Sequence, residues 1–150
     1  MTEPDLPLPP SKVLVVDDNL QNLELLEAYL EELDGVTTIS ATDGQSCLEK
    51  VASERPDLIL LDIMMPRMSG FEVCQKLKSD PATKDIPIIV VTALYELGDI
   101  ERGIEVGTND FITKPVNRVD LLTRVKTLLR VRHAAAREGA GAEGGQGPES

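Results

Sequence analysis

Short apolar runs with the composition of β-strands alternate with segments of helical period along most of this chain. The helical segments carry apolar residues three or four positions apart, as in Leu23, Leu26 and Leu30. The apolar runs predict five strands, at residues 13–16, 36–39, 58–61, 88–91 and 111–113. Strands that alternate with helices predict an α/β fold, in which helices cover both faces of a parallel sheet.

The polarity of the runs also predicts the order of the strands. The first, third and fourth runs are unbroken (V-L-V-V, L-I-L-L and I-I-V-V), which is typical of central strands buried on both faces. The second and fifth runs contain polar residues and are expected at the edges. The order 2-1-3-4-5 satisfies both conditions. It reverses direction between strands one and three, where open α/β sheets bind ligands at the carboxyl ends.

Polar residues follow four of the five strands at that edge: Asp17 and Asp18, then Asp62, Thr92 and Lys114. Carboxylates about 4 Å apart repel each other by roughly 4 kcal/mol at an effective dielectric constant of about 20, so three acids require cations or protons. Lys114 balances one negative charge, and the other two equal the charge of a divalent metal. Ligation by oxygen alone favours Mg²⁺.

A carboxylate beside Mg²⁺, a lysine and a threonine has the groups that phosphoryl transfer requires. Asp62 is the candidate nucleophile because it is the lone acid in the middle of the crevice, whereas the pair Asp17 and Asp18 suits the metal. Each acid taken alone is more often a helix cap or a turn residue. No glycine-rich nucleotide loop of the known patterns follows a strand.

The length of 150 residues and the hydrophobic content of 41% predict one domain, with no room for a second output domain. The net charge of -11 disfavours direct binding to nucleic acid or to an anionic membrane. We find neither a membrane span nor a secretory signal and expect a cytoplasmic protein. Residues 1–10 are predicted to form a disordered arm, 11–133 the folded domain, and 134–150 a disordered glycine-rich tail.

The two cysteines and the single histidine predict no metal centre or catalytic triad. Cys47 and Cys74 stand far apart and are expected to be core thiols. His133 is expected to be a solvated residue near the end of the last helix. That helix has a basic face that is either solvated or docks an acidic partner or a second copy; it carries Arg118, Arg124, Lys126, Arg130 and Arg132.

Four motifs resemble the receiver domain of two-component response regulators, and the resemblance covers residues 11–133. They are V-L-V-V-D-D at 13–18, D-I-M-M-P-R-M-S-G at 62–70, V-V-T-A at 90–93 and D-F-I-T-K-P at 110–115. The resemblance implies a flavodoxin-like (βα)5 three-layer sandwich. It also implies that Asp62 accepts a phosphoryl group from a phosphohistidine on a sensor histidine kinase or a histidine phosphotransfer protein.

The resemblance further implies how Mg²⁺ is bound. Asp18 and Asp62 would bind the ion directly, together with the backbone carbonyl of Met64, and Asp17 would act through water. Thr92 and Lys114 would contact the phosphoryl oxygens.

Two further features follow from the family pattern. The peptide bond between Lys114 and Pro115 would be cis. Phe111 matches the aromatic switch position that responds to Thr92; an ordinary core role is equally open for it.

Three positions depart from the family pattern or tune it. Ser69 stands where aspartate is frequent, and because serine caps helices well we expect little consequence. Met64 and Leu94 are bulky and apolar, and the resemblance implies that their positions tune the lifetime of the phosphoryl group. We expect them to hinder a hydrolytic water and to lengthen that lifetime.

These features predict a signalling switch that controls an unknown downstream effector protein. The switch is expected not to be an enzyme, since the only reactions predicted for it are its own phosphorylation and dephosphorylation. A homodimer through helix 4, strand 5 and helix 5 is also expected from the resemblance. One alternative is a pseudo-receiver that binds partners without phosphorylation. An aspartyl-phosphate phosphatase is disfavoured because D-x-D-x-T is missing, and a flavin carrier because its phosphate-binding loop is missing. The chain could act alone or belong to a longer protein.

Overall fold

A computed structural model describes residues 8–93 and 97–145 of the chain, with side chains over 8–93 and 101–136. Five strands form one sheet: β1 (Ser11–Val16), β2 (Val36–Ala41), β3 (Leu58–Leu61), β4 (Ile88–Thr92) and β5 (Asp110–Thr113). Five helices connect and follow them: α1 (Leu20–Leu30), α2 (Gly44–Glu54), α3 (Gly70–Lys78), α4 (Leu97–Val106) and α5 (Arg118–Gly145).

The strands lie in the order β2-β1-β3-β4-β5, and every neighbouring pair is parallel. All residues of β3 and β4 are buried, whereas β2 and β5 are half exposed over most of their length. The predicted α/β fold and strand order are therefore confirmed. The apolar content of each run indicated its position because a central strand has helices on both faces and an edge strand does not.

Two apolar layers hold the helices on the sheet. In β1, Val13 and Val15 face one layer, which α1 and α5 cover, and Leu14 faces the other, which α2 and α3 cover. This alternation follows from the two-residue period of a strand. Cys47 and Cys74 are buried free thiols in the second layer, as predicted.

The last helix differs from its prediction at its carboxyl end. Its backbone remains helical to Gly145, through most of the stretch predicted as a disordered tail. A packed helix extends one residue at a time without a new nucleus, so polar and glycine-containing sequence can continue it. The remaining predicted disorder, at residues 1–7 and 146–150, lies outside the described residues.

His133 is half-buried and hydrogen-bonded, which corrects the prediction of a solvated side chain. The Ser11 hydroxyl donates its proton to the carbonyl oxygen of Pro9, at 2.8 Å. His133 Nε2 therefore donates to Ser11 Oγ, at 2.9 Å, because the hydroxyl has no second proton. The side chain joins α5 to the start of β1.

Side chains fix the starts of α3 and α5. The Asn117 side chain accepts a hydrogen bond from the Asp120 backbone N–H at 2.8 Å, and Ser69 caps α3 together with Glu72. Ser69 thus makes the cap expected of it.

Part of the basic face of α5 is paired within the chain. Arg118 binds Glu32, and Arg124 binds Asp110 and Asp120. No helix within the described residues is long and apolar enough to cross a membrane.

Candidate functional site

Three acids meet at the carboxyl edge of the sheet. Oxygen atoms of Asp17, Asp18 and Asp62 all lie within 4.8 Å of one another. Asp17 and Asp62 are buried, with 1% and 3% of their surface exposed, whereas Asp18 is exposed. The predicted convergence at the switch point between β1 and β3 is therefore correct, and the cluster opens to solvent on the side of Asp18.

Lys114 reaches this cluster from the end of β5. Its Nζ lies 2.9 Å from Asp17 Oδ2 and 3.7 Å from Asp62 Oδ1. Its backbone N–H donates to the Thr92 carbonyl oxygen at 2.9 Å, and its peptide bond with Pro115 is cis. One ammonium group therefore faces two buried carboxylates, and its closer partner is Asp17.

The charge of Asp62 is costly in this pocket. Burial, followed by repulsion from Asp17, raises the pKa of Asp62 to about 6, although Lys114 and the Met64 backbone N–H act in the opposite direction. A further cation beside the three acids would favour the ionised carboxylate. The donor set consists of oxygen atoms only, and its uncompensated charge equals that of a divalent ion, so these residues fit Mg²⁺.

The turn after β3 brings the start of α3 close to Asp62. The Met64 N–H donates to Asp62 Oδ1 at 3.2 Å, and the Met64 side chain is exposed. A Cβ atom added at Gly70 would lie only 2.3 Å from the Asp62 carbonyl oxygen. Glycine at position 70 therefore permits the close approach of α3 to the end of β3.

Thr92 and Phe111 lie on the neighbouring strands β4 and β5. Thr92 is fully buried at the end of β4. Phe111 is half-buried and packs with Phe71 and Val90, and its ring occupies space that a Cβ atom at Gly103 would need. The ring therefore contacts α4, and a change in the position of the ring would alter its packing against that helix. Leu94, the second position expected to affect the lifetime of a phosphoryl group, lies outside the described residues.

Sequence reasoning missed two contacts of the acids. The Asn19 backbone N–H donates to Asp17 Oδ1 at 2.9 Å, and Lys114 binds Asp17 more closely than Asp62. The spacing D-x-N at residues 17–19 could have indicated the first contact, because aspartate side chains commonly accept from the N–H two residues later. The second depends on the tertiary arrangement of β1 and β5.

The sequence matches the family described as "Response regulator receiver domain" over residues 13–126, which is most of the chain. The chain belongs to this family. The matched span of the receiver domain contains the five polar residues predicted at the carboxyl edge of the sheet: Asp17, Asp18, Asp62, Thr92 and Lys114.

Curated relatives of the receiver domain include longer response regulators. "Response regulator PleD" of Caulobacter vibrioides is 49% identical over 123 residues, which are 81% of this chain and 27% of that protein. The PhoP regulator of alkaline phosphatase synthesis from Bacillus subtilis is 41% identical over 125 residues, 83% of this chain and 51% of that protein. The receiver domain therefore spans about a quarter to a half of the length of these relatives.

Solved structures with the same fold match over nearly their whole length. A CheY-like receiver domain protein from Methanospirillum hungatei has a TM-score of 0.77 and 29% identity, covering 83% of this chain and 98% of that one. The receiver domain of a signal transduction histidine kinase from Syntrophus aciditrophicus has a TM-score of 0.74 and 35% identity, covering 93% and 96%. These matches agree with the flavodoxin-like strand order.

Proposed function

We propose that this receiver domain accepts a phosphoryl group on Asp62 and thereby controls a downstream partner protein. The donor would be a phosphohistidine of a sensor histidine kinase or of a histidine phosphotransfer protein. The observation that carries the proposal is the position of Asp62, a buried carboxylate clustered with two further acids and 3.7 Å from the Lys114 ammonium group. Phosphoryl transfer needs such a nucleophile with positive charge beside it.

The two oxygens of Asp62 differ in their surroundings. Oδ1 accepts the Met64 N–H and faces Lys114, whereas Oδ2 accepts no hydrogen bond from a described residue. Oδ2 would attack phosphorus and form the O–P bond of an acyl phosphate. The N–P bond of the donor would break, and the imidazole would keep its electron pair and take up a proton. Lys114 would bind the transferred oxygens.

Asp18 and Asp62 would hold Mg²⁺ with the carbonyl oxygen of Met64, and Asp17 would contribute through water. When bound, Mg²⁺ would neutralise negative charge on the phosphoryl oxygens during transfer. Lys114 and the Asn19 N–H hold Asp17 in place from two sides. Asp17 would therefore keep one orientation while the ion and the phosphoryl group exchange.

The only chemistry that we propose for the chain is its own phosphorylation and dephosphorylation. Phe111 and Thr92 would report the modification to α4, which the Phe111 ring contacts at Gly103.

A second copy of the chain could bind at the face formed by α4, β5 and α5. Sedimentation of the phosphorylated protein tests that part of the proposal, and a mass that stays monomeric at all concentrations would contradict it.

Labelling with a small phosphodonor tests the proposed function directly. The protein is incubated with acetyl phosphate and Mg²⁺, and its intact mass is compared with that of Asp62→Asn and of Asp34→Asn. Asp34 is an exposed aspartate before β2, at the other end of the sheet. We expect the wild-type protein and Asp34→Asn to gain one phosphoryl group and Asp62→Asn to gain none. EDTA should abolish labelling, and equal labelling of Asp62→Asn would contradict the proposal.

A further inference from the structure

The loop between β3 and α3 rests on the first residues of α2. Two of its methionine side chains pack in the apolar layer that α2 and α3 cover: Met65 is buried and Met68 is half-buried. The loop also has backbone hydrogen bonds of its own, from Met65 to Ile63 and from Met68 to Pro66. Its position is therefore set partly from within and partly by α2.

The contact between Met68 and α2 depends on a glycine. A Cβ atom added at Gly44, the first residue of α2, would lie 2.8 Å from Met68 Sδ and 2.9 Å from Met68 Cβ. The sulfur can turn away, but Cβ is attached to the backbone and moves only with the loop. The loop therefore approaches α2 this closely only because residue 44 has no side chain.

A polar contact lies beside the apolar one. Arg67 has a φ of 69°, in the left-handed region, and its Nη2 lies 3.5 Å from Asp43 Oδ2. The other oxygen of Asp43 caps α2, where it accepts the Ser46 N–H at 2.7 Å. An exposed ion pair contributes little to stability. It nevertheless favours the same position of the loop that the Met68 contact selects.

The other end of the loop belongs to the acidic cluster. The Met64 N–H donates to Asp62 Oδ1 at 3.2 Å, so the backbone of Met64 is already aligned with that carboxylate. Only two residues, Met65 and Pro66, lie between Met64 and Arg67. A loop that loses its contact with α2 would consequently shift Met64 relative to Asp62.

We propose that the contact of Met68 with Gly44 positions the β3–α3 loop so that the backbone of Met64 and the carboxylate of Asp62 together bind Mg²⁺. This inference rests on the proposed function. Met68 and Gly44 are positioning residues, because neither touches the acidic cluster. They act as outer-shell partners of a metal ligand do, through the orientation of that ligand.

Mg²⁺ titration by calorimetry tests the inference with one variant from each side of the contact. We expect Met68→Ala and Gly44→Ala each to raise the Mg²⁺ dissociation constant by about 3- to 10-fold. Alanine favours a helix more than glycine does, so weaker binding by Gly44→Ala would not come from a less stable α2. Met68→Leu keeps the apolar contact and should bind Mg²⁺ like the wild-type protein.

Leu48→Ala is the matched control. Leu48 lies in α2 and packs, partly buried, against the same apolar layer as Met68. Its truncation should lower stability without changing the dissociation constant for Mg²⁺. Equal dissociation constants for Met68→Ala, Gly44→Ala, Leu48→Ala and the wild-type protein would overturn the inference and leave the proposed function standing. No Mg²⁺ binding by the wild-type protein would overturn both.

Amide hydrogen exchange in EDTA gives a second readout that does not depend on the metal. The Met65 N–H donates to the Ile63 carbonyl at 3.0 Å, within the loop. The exchange rate of the Met65 N–H should be higher in Met68→Ala than in Leu48→Ala. In each variant this rate is first divided by the rate of a core amide of β3, which corrects for differences in overall stability. Identical Met65 exchange in the two variants would show that the contact does not hold the loop, against the inference.

Discussion

Replacing Asp62 by asparagine should stabilise the metal-free protein near neutral pH, although it removes the proposed phosphoacceptor. In the folded protein the pKa of Asp62 is about 6, against 3.8 as the ordinary value for aspartate. A difference of this size corresponds to about 3 kcal/mol. Asparagine keeps the shape of the side chain and an oxygen that can accept the Met64 N–H, but it carries no charge to be buried.

The sign of the effect follows from proton binding. Because the folded state binds the proton of Asp62 more tightly than the unfolded state, its contribution to stability is fully present below a pH of about 4. That contribution is lost as the pH rises through about 6. We expect the unfolding free energy of Asp62→Asn to be about 1 to 2 kcal/mol higher than that of the wild-type protein near pH 7.5. The gain is smaller than the full difference because Lys114 loses a charged neighbour.

Urea unfolding followed by circular dichroism measures this difference, in EDTA at about pH 4.5 and about pH 7.5. Asp34→Asn removes the same charge from a protein of net charge -11 and controls for general repulsion. Added Mg²⁺ should stabilise the wild-type protein and narrow the gap, because the ion binds the folded state. Equal stability of Asp62→Asn and the wild-type protein near neutral pH, or the same gain at both pH values, would refute the electrostatic reasoning.

Three other variants test separate parts of the site. Lys114→Met should lower the unfolding free energy by about 1 to 3 kcal/mol near neutral pH in EDTA, because it leaves Asp17 and Asp62 without their ammonium partner. Urea unfolding measures this change. A variant as stable as the wild-type protein would argue against the ion pair. Gly70→Ala should cost about 1 to 3 kcal/mol because its Cβ would meet the Asp62 carbonyl oxygen, and an unchanged melting temperature would contradict that contact. Met64→Asn should shorten the half-life of the phosphorylated protein, measured by loss of label after removal of the donor. A longer half-life would refute the expected shielding by Met64.

The fold was largely predictable because burial differs so clearly between the strands. β3 and β4 are apolar throughout and fully buried, and the polar residues of β2 and β5 lie at half-exposed edges. The site was predictable for a related reason. Parallel strands end at one edge of the sheet, so the residues at the carboxyl ends of β1, β3, β4 and β5 all lie along that edge.

Contacts between distant parts of the chain were not predictable in the same way. His133 binds Ser11 across the whole length of the domain, and no local pattern indicates that pairing. The contact of Met68 with Gly44 joins a loop to a helix start. Predicting either contact requires the tertiary structure, because the partners are close in space although no sequence spacing relates them.

Chemical trapping of the phosphorylated residue tests the central claim most directly. After incubation with acetyl phosphate and Mg²⁺, borohydride reduces an acyl phosphate to an alcohol, which turns the modified aspartate into homoserine. Peptide mass spectrometry then locates that residue. We predict homoserine at position 62, and only in samples that contained Mg²⁺. Homoserine at Asp17, at Asp18 or at any other aspartate, with Asp62 intact, would contradict the account.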